Sequence, residues 1–196
     1  MIKVGITGGI GSGKSIASKA FSMLGVPTYD ADSRAKSIIH ENAQVKAAII
    51  DLLGEEAYLK NGIYNRAFVA ELVFSDAGLL KKLNGIVHPA VRNDATKWFS
   101  EYADCQCVVY EAAIMNAAKN GNDLDYVVVV HADIETRVSR ILKRDTHRTT
   151  NQVTGIIKNQ KSVEEFLELA DFIIQNDEKD LVLEQVLKLH NRLLTS

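Results

Sequence analysis

Gly8-Gly9-Ile10-Gly11-Ser12-Gly13-Lys14-Ser15 is a glycine-rich turn closed by a lysine and a hydroxyl. It satisfies in full the spacing of a glycine, any four residues, then Gly-Lys-Ser/Thr. Residues 2–6 precede it as a short apolar strand. Ile16, Ala17, Ala20, Phe21 and Leu24 follow at helical spacing, up to a stop at Gly25. The strand–turn–helix context supplies the physics. Glycines let successive backbone N–H groups face inward on an anion, and the helix adds the positive end of its dipole. The amides of Gly9, Ile10, Gly11, Ser12, Gly13, Lys14, Ser15 and Ile16 are therefore expected to hold the phosphates of a nucleoside triphosphate such as ATP. The Lys14 ammonium is expected on the β- and γ-phosphates, and the Ser15 hydroxyl on Mg²⁺.

Outward from the turn, residues 26–29 read as a second strand that ends in Asp30-Ala31-Asp32, completing a βαβ unit with a right-handed crossover. Residues 33–102 hold no convincing strand. Ile38, Val45, Ile49, Leu52 and Leu53, then Phe68, Leu72, Val73, Leu79, Leu80, Leu83 and Val87, recur at spacings of three and four, with breaks expected at Gly54, Asn61-Gly62, Gly78 and Gly85. This stretch is expected to be a mostly helical insertion that binds substrate. Strands resume at 106–110, 126–130 and 172–174, with helices near 133–144 and 178–194. Continuous apolar strands alternating with helices predict an α/β fold, a parallel five-stranded sheet with helices on both faces.

Composition agrees with an ordered, soluble chain. Of 196 residues, 46 % are hydrophobic and 24 % charged, close to the globular average, which argues against disorder and fibres. Lys and Arg number 23 against 25 Asp and Glu, so no bulk field recruits nucleic acid or an anionic membrane. Cys105 and Cys107 form neither a disulfide framework nor a zinc site, and read as ordinary strand residues. No apolar stretch approaches the ~20 residues of a membrane span, and Met1 to Thr7 carries no apolar leader core and no cleavage site. A cytoplasmic setting and a small-molecule partner, with no nucleic acid and no membrane, are expected, in a monomer or weak oligomer.

The acceptor of the phosphoryl group is less directly written. A GTPase needs an Asn-Lys-x-Asp base reader, and Asn159-Gln160-Lys161-Ser162 fails that pattern; Asp51-Leu52-Leu53-Gly54 lies inside a helical run, away from any strand end. A motor needs a longer chain and a basic track. A small-molecule kinase remains. In open parallel sheets ligands gather at the carboxyl ends of the strands, where both the glycine turn and Asp30-Ala31-Asp32 emerge. One of the two aspartates is expected to face the site and position a hydroxyl, or both cap the next helix. Late in the chain, residues 136–161 carry Arg137, Arg140, Lys143, Arg144, Arg148, Lys158 and Lys161 against Asp145 alone, a net +6. Residues 162–184 carry Glu164, Glu165, Glu168, Asp171, Asp177, Glu178, Asp180 and Glu184 against Lys179 alone, a net −7. These read as two solvated helix faces that pair, with Arg140 and Arg144, one turn apart, as a polyanion clamp.

The thread Thr7 to Ser15, Asp30-Ala31-Asp32, Asn65-Arg66, Phe74, His88-Pro89, Arg140, Arg144-Asp145, Gln160, Ala170-Asp171 and Asn176 resembles the dephospho-CoA kinase family over nearly the whole chain. The resemblance implies ATP-dependent phosphorylation of the ribose 3′-hydroxyl of dephospho-CoA. It implies a nucleotide-binding core over 1–32, 104–135 and 162–196, a helical acceptor lobe over 33–103 and a lid over 136–161. By position, Asp32 matches the family's base and Arg140 falls in its lid, with Lys14 beside them in the catalytic set. Arg144 and Asn176 match nucleotide-side positions, Asn176 near the adenine. Lys36, Arg66 and His88 match the acceptor side, with a structural histidine the alternative for His88 and an inter-helix salt bridge the alternative for Arg66. Departures are Ile16 for a usual threonine, Lys36 for a usual arginine, and Ala113-Ile114-Met115-Asn116-Ala117 where the family has Pro-Leu-Leu-Phe-Glu. Glu111 is a candidate substitute near the metal, or else a solvent-facing strand end. Another small-metabolite or nucleoside-monophosphate kinase, and an ATP-binding regulatory module, are the alternatives.

Overall fold

The computed structural model describes residues 1–195, which divide into two compact units, 1–30 with 102–195 and 31–101. The first unit is built on strands β1 (Ile2–Thr7), β2 (Thr28–Asp30), β3 (Cys107–Glu111), β4 (Tyr126–His131) and β5 (Phe172–Gln175). Every pairing is parallel, and the order across the sheet is β2-β3-β1-β4-β5. The strand sequences explain the burial. Val127, Val128, Val129 and Val130 of β4 are all buried, so both faces of that strand are covered. Helix α1 (Lys14–Met23) lays Ala17 and Phe21 against Val4, Ile6, Val109 and Val128, and the last helix brings Val186, Leu189 and Leu193 to the same core. On the opposite face, Met115 and Leu124 close so tightly over Gly5 that any side chain there would collide with them.

Helices α2 (Ala31–Glu41), α3 (Ala43–Leu53), α4 (Arg66–Ser75) and α5 (Ala77–Glu101) make the second unit, with a 3-10 turn at Glu55–Ala57. Local capping sets their limits. Asn42 Oδ1 accepts from the amides of Gln44 at 3.0 Å and Val45 at 3.1 Å to start α3, and Asn65 Oδ1 accepts from Phe68 to start α4. Arg34 of α2 grips Asp94 of α5 through Nε at 3.0 Å and Nη2 at 2.8 Å, a bidentate fastening inside this unit.

Gly78 and Gly85 do not break the chain: α5 runs unbroken for 25 residues and carries Pro89 inside it. The proline ring conflicts with the carbonyl four residues earlier, and that residue is Gly85, which has open space around it. Residues 26 and 27 lie outside β2, which begins at Thr28.

Helix α6 (Ile134–Arg144) lies close to its expected span, and two short helices follow that periodicity could not show: α7 (Thr150–Lys158) and α8 (Val163–Glu168). Each begins with a reciprocal capping box, Thr149 with Gln152 and Ser162 with Glu165. Helix α9 (Val182–Leu194) is the last element and starts four residues later than the expected span of 178–194. No helix of the described residues is long and apolar enough to cross a membrane.

Candidate active site

The turn after β1 is held open by contacts from the far end of the chain. Gly13 adopts φ 94°, and its carbonyl accepts from Ile16 at 2.9 Å and Ala17 at 3.3 Å, which starts α1. A side chain at position 13 would need strained backbone and would strike the Asn176 carboxamide. Asn176, 7 % exposed and directly after β5, donates from Nδ2 to the Ser12 carbonyl at 2.8 Å. Its Oδ1 accepts from Arg140 Nη2 at 3.3 Å. Both ends of that amide are therefore committed to bracing the turn and holding Arg140.

The Lys14 ammonium donates to the carbonyls of Gly8 at 2.9 Å and Gly9 at 3.4 Å. Among the described residues no acceptor takes the N–H of Gly11 or Gly13. The Ser12 hydroxyl is buried without a partner. Unmet donors and a lysine ammonium around one glycine-rich turn, at the start of a helix, make an anion site. Ser15 and Ile16 are exposed in the first turn of α1.

Two residues that the sequence left without a role complete this wall. Arg137 of α6 is only 5 % exposed. Its Nε donates to the Ile10 carbonyl at 2.9 Å, and its Nη2 donates to Gln160 Oε1 at 3.0 Å. Gln160 Oε1 also accepts from the Ile10 amide at 2.9 Å. The guanidinium lies flat on Gly9, where any side chain would displace it. Burial pushes the basicity of Arg137 down. Neither residue was legible as part of this wall, because Ile10 is 127 positions from Arg137 and 150 from Gln160.

The expected arginine clamp divides. Arg140 is half-buried, meets Glu178 at 3.5 Å, and keeps a buried Nη1 without a partner. Arg144 is turned instead to its neighbour Asp145, donating from Nε at 2.9 Å and Nη2 at 3.1 Å. Arg148 adds a second contact to that carboxylate at 3.3 Å, and the paired guanidinium holds Asp145 below the usual carboxylate range. Of the opposite-sign faces, Arg140 with Glu178 is the pair that meets among the described residues.

At the carboxyl end of β2 and β3, Asp30 and Glu111 occupy paired register positions, next to the stacked rings of Tyr29 and Tyr110. In place of the missing glutamate segment, Met115 packs inward while Ile114 is exposed. Both cysteines are free; burial pushes the Cys107 thiol up to about 11.

The helical unit carries the remaining candidates on exposed positions. Asp32 lies in the first turn of α2, with Lys36 one turn later; Arg66 opens α4, and His88 precedes Pro89 in α5.

The CoaE dephospho-CoA kinase family model matches residues 2–181. A dephospho-CoA kinase of Bacteroides fragilis is 35 % identical over 189 residues, covering 96 % of this chain and 91 % of the relative. One of Porphyromonas gingivalis is 35 % identical over 189 residues, covering 96 % and 93 %. Among solved structures, TT1252 from Thermus thermophilus superposes with a TM-score of 0.84 at 29 % identity, covering 100 % of this chain and 98 % of that one. A dephospho-CoA kinase from Campylobacter jejuni shares the fold with a TM-score of 0.65 at 23 % identity, over 99 % and 98 %.

Proposed function

The chain belongs to the dephospho-CoA kinase family, and from that premise we infer how its residues divide the work of the reaction. It transfers the γ-phosphoryl group of ATP to the ribose 3′-hydroxyl of dephospho-CoA, giving CoA and ADP. The observation that carries this reading is the turn from Gly8 to Ser15, with unmet donors at Gly11 and Gly13, inside a chain matched by that family over residues 2–181.

The free amides and the Lys14 ammonium receive the β- and γ-phosphates. Lys14 exchanges its carbonyl contacts to Gly8 and Gly9 for phosphate oxygens, a replacement of neutral acceptors by charged ones that strengthens each bond. Arg140, with an unsatisfied Nη1, neutralises charge spreading over the equatorial oxygens. Asp32 orients the 3′-hydroxyl in line with the γ-phosphorus. As the new O–P bond forms and the bond to the β,γ-bridging oxygen breaks, the hydroxyl proton passes late to the Asp32 carboxylate and ADP leaves. Lys36, Arg66 and His88 supply acceptor contacts from the helical unit, and Arg144 serves the nucleotide once released from Asp145. Residues 136–161 act as the lid.

Hard oxygen donors fit Mg²⁺. Ser15 offers an exposed hydroxyl beside the turn, and Asp30 and Glu111 offer carboxylates at paired positions on the same sheet edge. These residues would hold Mg²⁺, which would supply positive charge against that of the phosphates. The chain works in the cytoplasm, on a small molecule.

A coupled assay of ADP release tests the reading. Release should depend on dephospho-CoA and stay near background with nucleoside monophosphates or no acceptor. Equal release across that panel would overturn it.

A further inference from the structure

Arg137 poses a problem of charge. A guanidinium taken almost wholly out of water loses hydration that an opposite charge normally replaces. Here no carboxylate of the described residues pairs with it; its acceptors are the Ile10 carbonyl and the Gln160 amide oxygen, both neutral. No described residue accepts from its Nη1. The group is nonetheless fixed in place, flat against Gly9 of the phosphate-binding turn and tied to Ile10 from two directions. A buried cation that the protein leaves unbalanced, next to amides with no acceptor of their own, is a site half-built for an anion.

We propose that Arg137 is a nucleotide-binding residue whose counter-charge is the polyphosphate tail itself. Gln160 positions it: by accepting from Nη2 and from the Ile10 amide at once, its oxygen fixes the guanidinium relative to the turn. Arg137 thus differs from Arg140 and Arg144, each of which has an acidic neighbour in the protein. The inference rests on the kinase reading only in taking the turn as the phosphate site, and it is independent of the acceptor.

The test uses the full chain with ATP and inorganic tripolyphosphate as probes, measuring binding by calorimetry and unfolding without ligand. Arg137→Gln keeps hydrogen-bonding capacity and removes the charge. Losing one charge-assisted contact should weaken binding of both probes by roughly ten- to a hundredfold. Unliganded Arg137→Gln should melt no lower than wild type, because an uncompensated buried charge has gone; a bracing role would lower it. If it does melt lower, Arg137→Lys decides. Affinity nearer wild type than Arg137→Gln supports the charge role, and equal losses in the two variants overturn it. A change of less than about threefold for both probes in Arg137→Gln also overturns it. ADP release by wild type on dephospho-CoA is measured alongside, so failure of the acceptor assignment is read separately from failure of this one.

Discussion

Asp32 and Asn176 are both short polar side chains, and they make opposite predictions. Asp32 is exposed in the first turn of α2 and is proposed to hold a hydroxyl. Asp32→Asn should cut kcat by roughly 10²- to 10⁴-fold, the usual worth of a positioned acid–base group, while the dissociation constant for ATP stays close to wild type by calorimetry. Wild-type turnover would remove the residue from the mechanism. Asn176 is buried, with both ends of its amide engaged. Asn176→Ala strips a donor from the Ser12 carbonyl and an acceptor from Arg140. A stability loss of about 1–3 kcal/mol follows from the unmet groups, together with a higher KM for ATP, both measurable by denaturation and steady-state kinetics. The contrast also marks what a sequence can disclose. The turn at Gly8 to Ser15 is legible because its conformation is dictated within eight neighbouring residues. Arg137 is not, because an arginine within an amphipathic basic helix looks like any solvated charge until Ile10 and Gly9 are brought against it.

Helices and strands differ in how they announce themselves. The four valines of β4 announce a strand buried on both sides, whereas the order β2-β3-β1-β4-β5 is set by tertiary pairing that the letters do not show. Helices α7 and α8 span only nine and six residues, too few turns to show a period, yet their capping boxes were present in the letters at Thr149 and Ser162. Helix α5 misleads in the other direction, since Gly78 and Gly85 read as breaks, although Gly85 lies one turn before Pro89, where the ring meets the carbonyl. Gly155 offers an element-level test. It lies inside α7, nothing stands within 4 Å of where a β-carbon would go, and its φ is not positive. Gly155→Ala should stabilise the fold by about 0.5–1 kcal/mol, raising the melting temperature by about 1–4 °C. A decrease would show that α7 is not a helix in solution.

At the scale of the molecule, ATP contacts are assigned to one unit only, which gives a spatial prediction for hydrogen exchange. ATP added without acceptor should raise protection at residues 9–16, along α6 and near Gln160 and Asn176, following linkage between ligand binding and local opening. Amides within α3 and α4 should exchange at their unliganded rates. Protection confined to the helical unit would mean that the nucleotide binds elsewhere.

The helical unit is one uninterrupted stretch, 31–101, lying between β2 and β3, which are next-door strands in the sheet. It is an enlarged crossover, whereas the phosphate-binding turn belongs to a different crossover, between β1 and β2. On the proposed division of roles, specificity for the alcohol and chemistry on the triphosphate lie in separate passages of the chain. Substitutions in one passage can accumulate without shifting the pairing register on which the other depends, so such a scaffold is free to change its customer while keeping its currency.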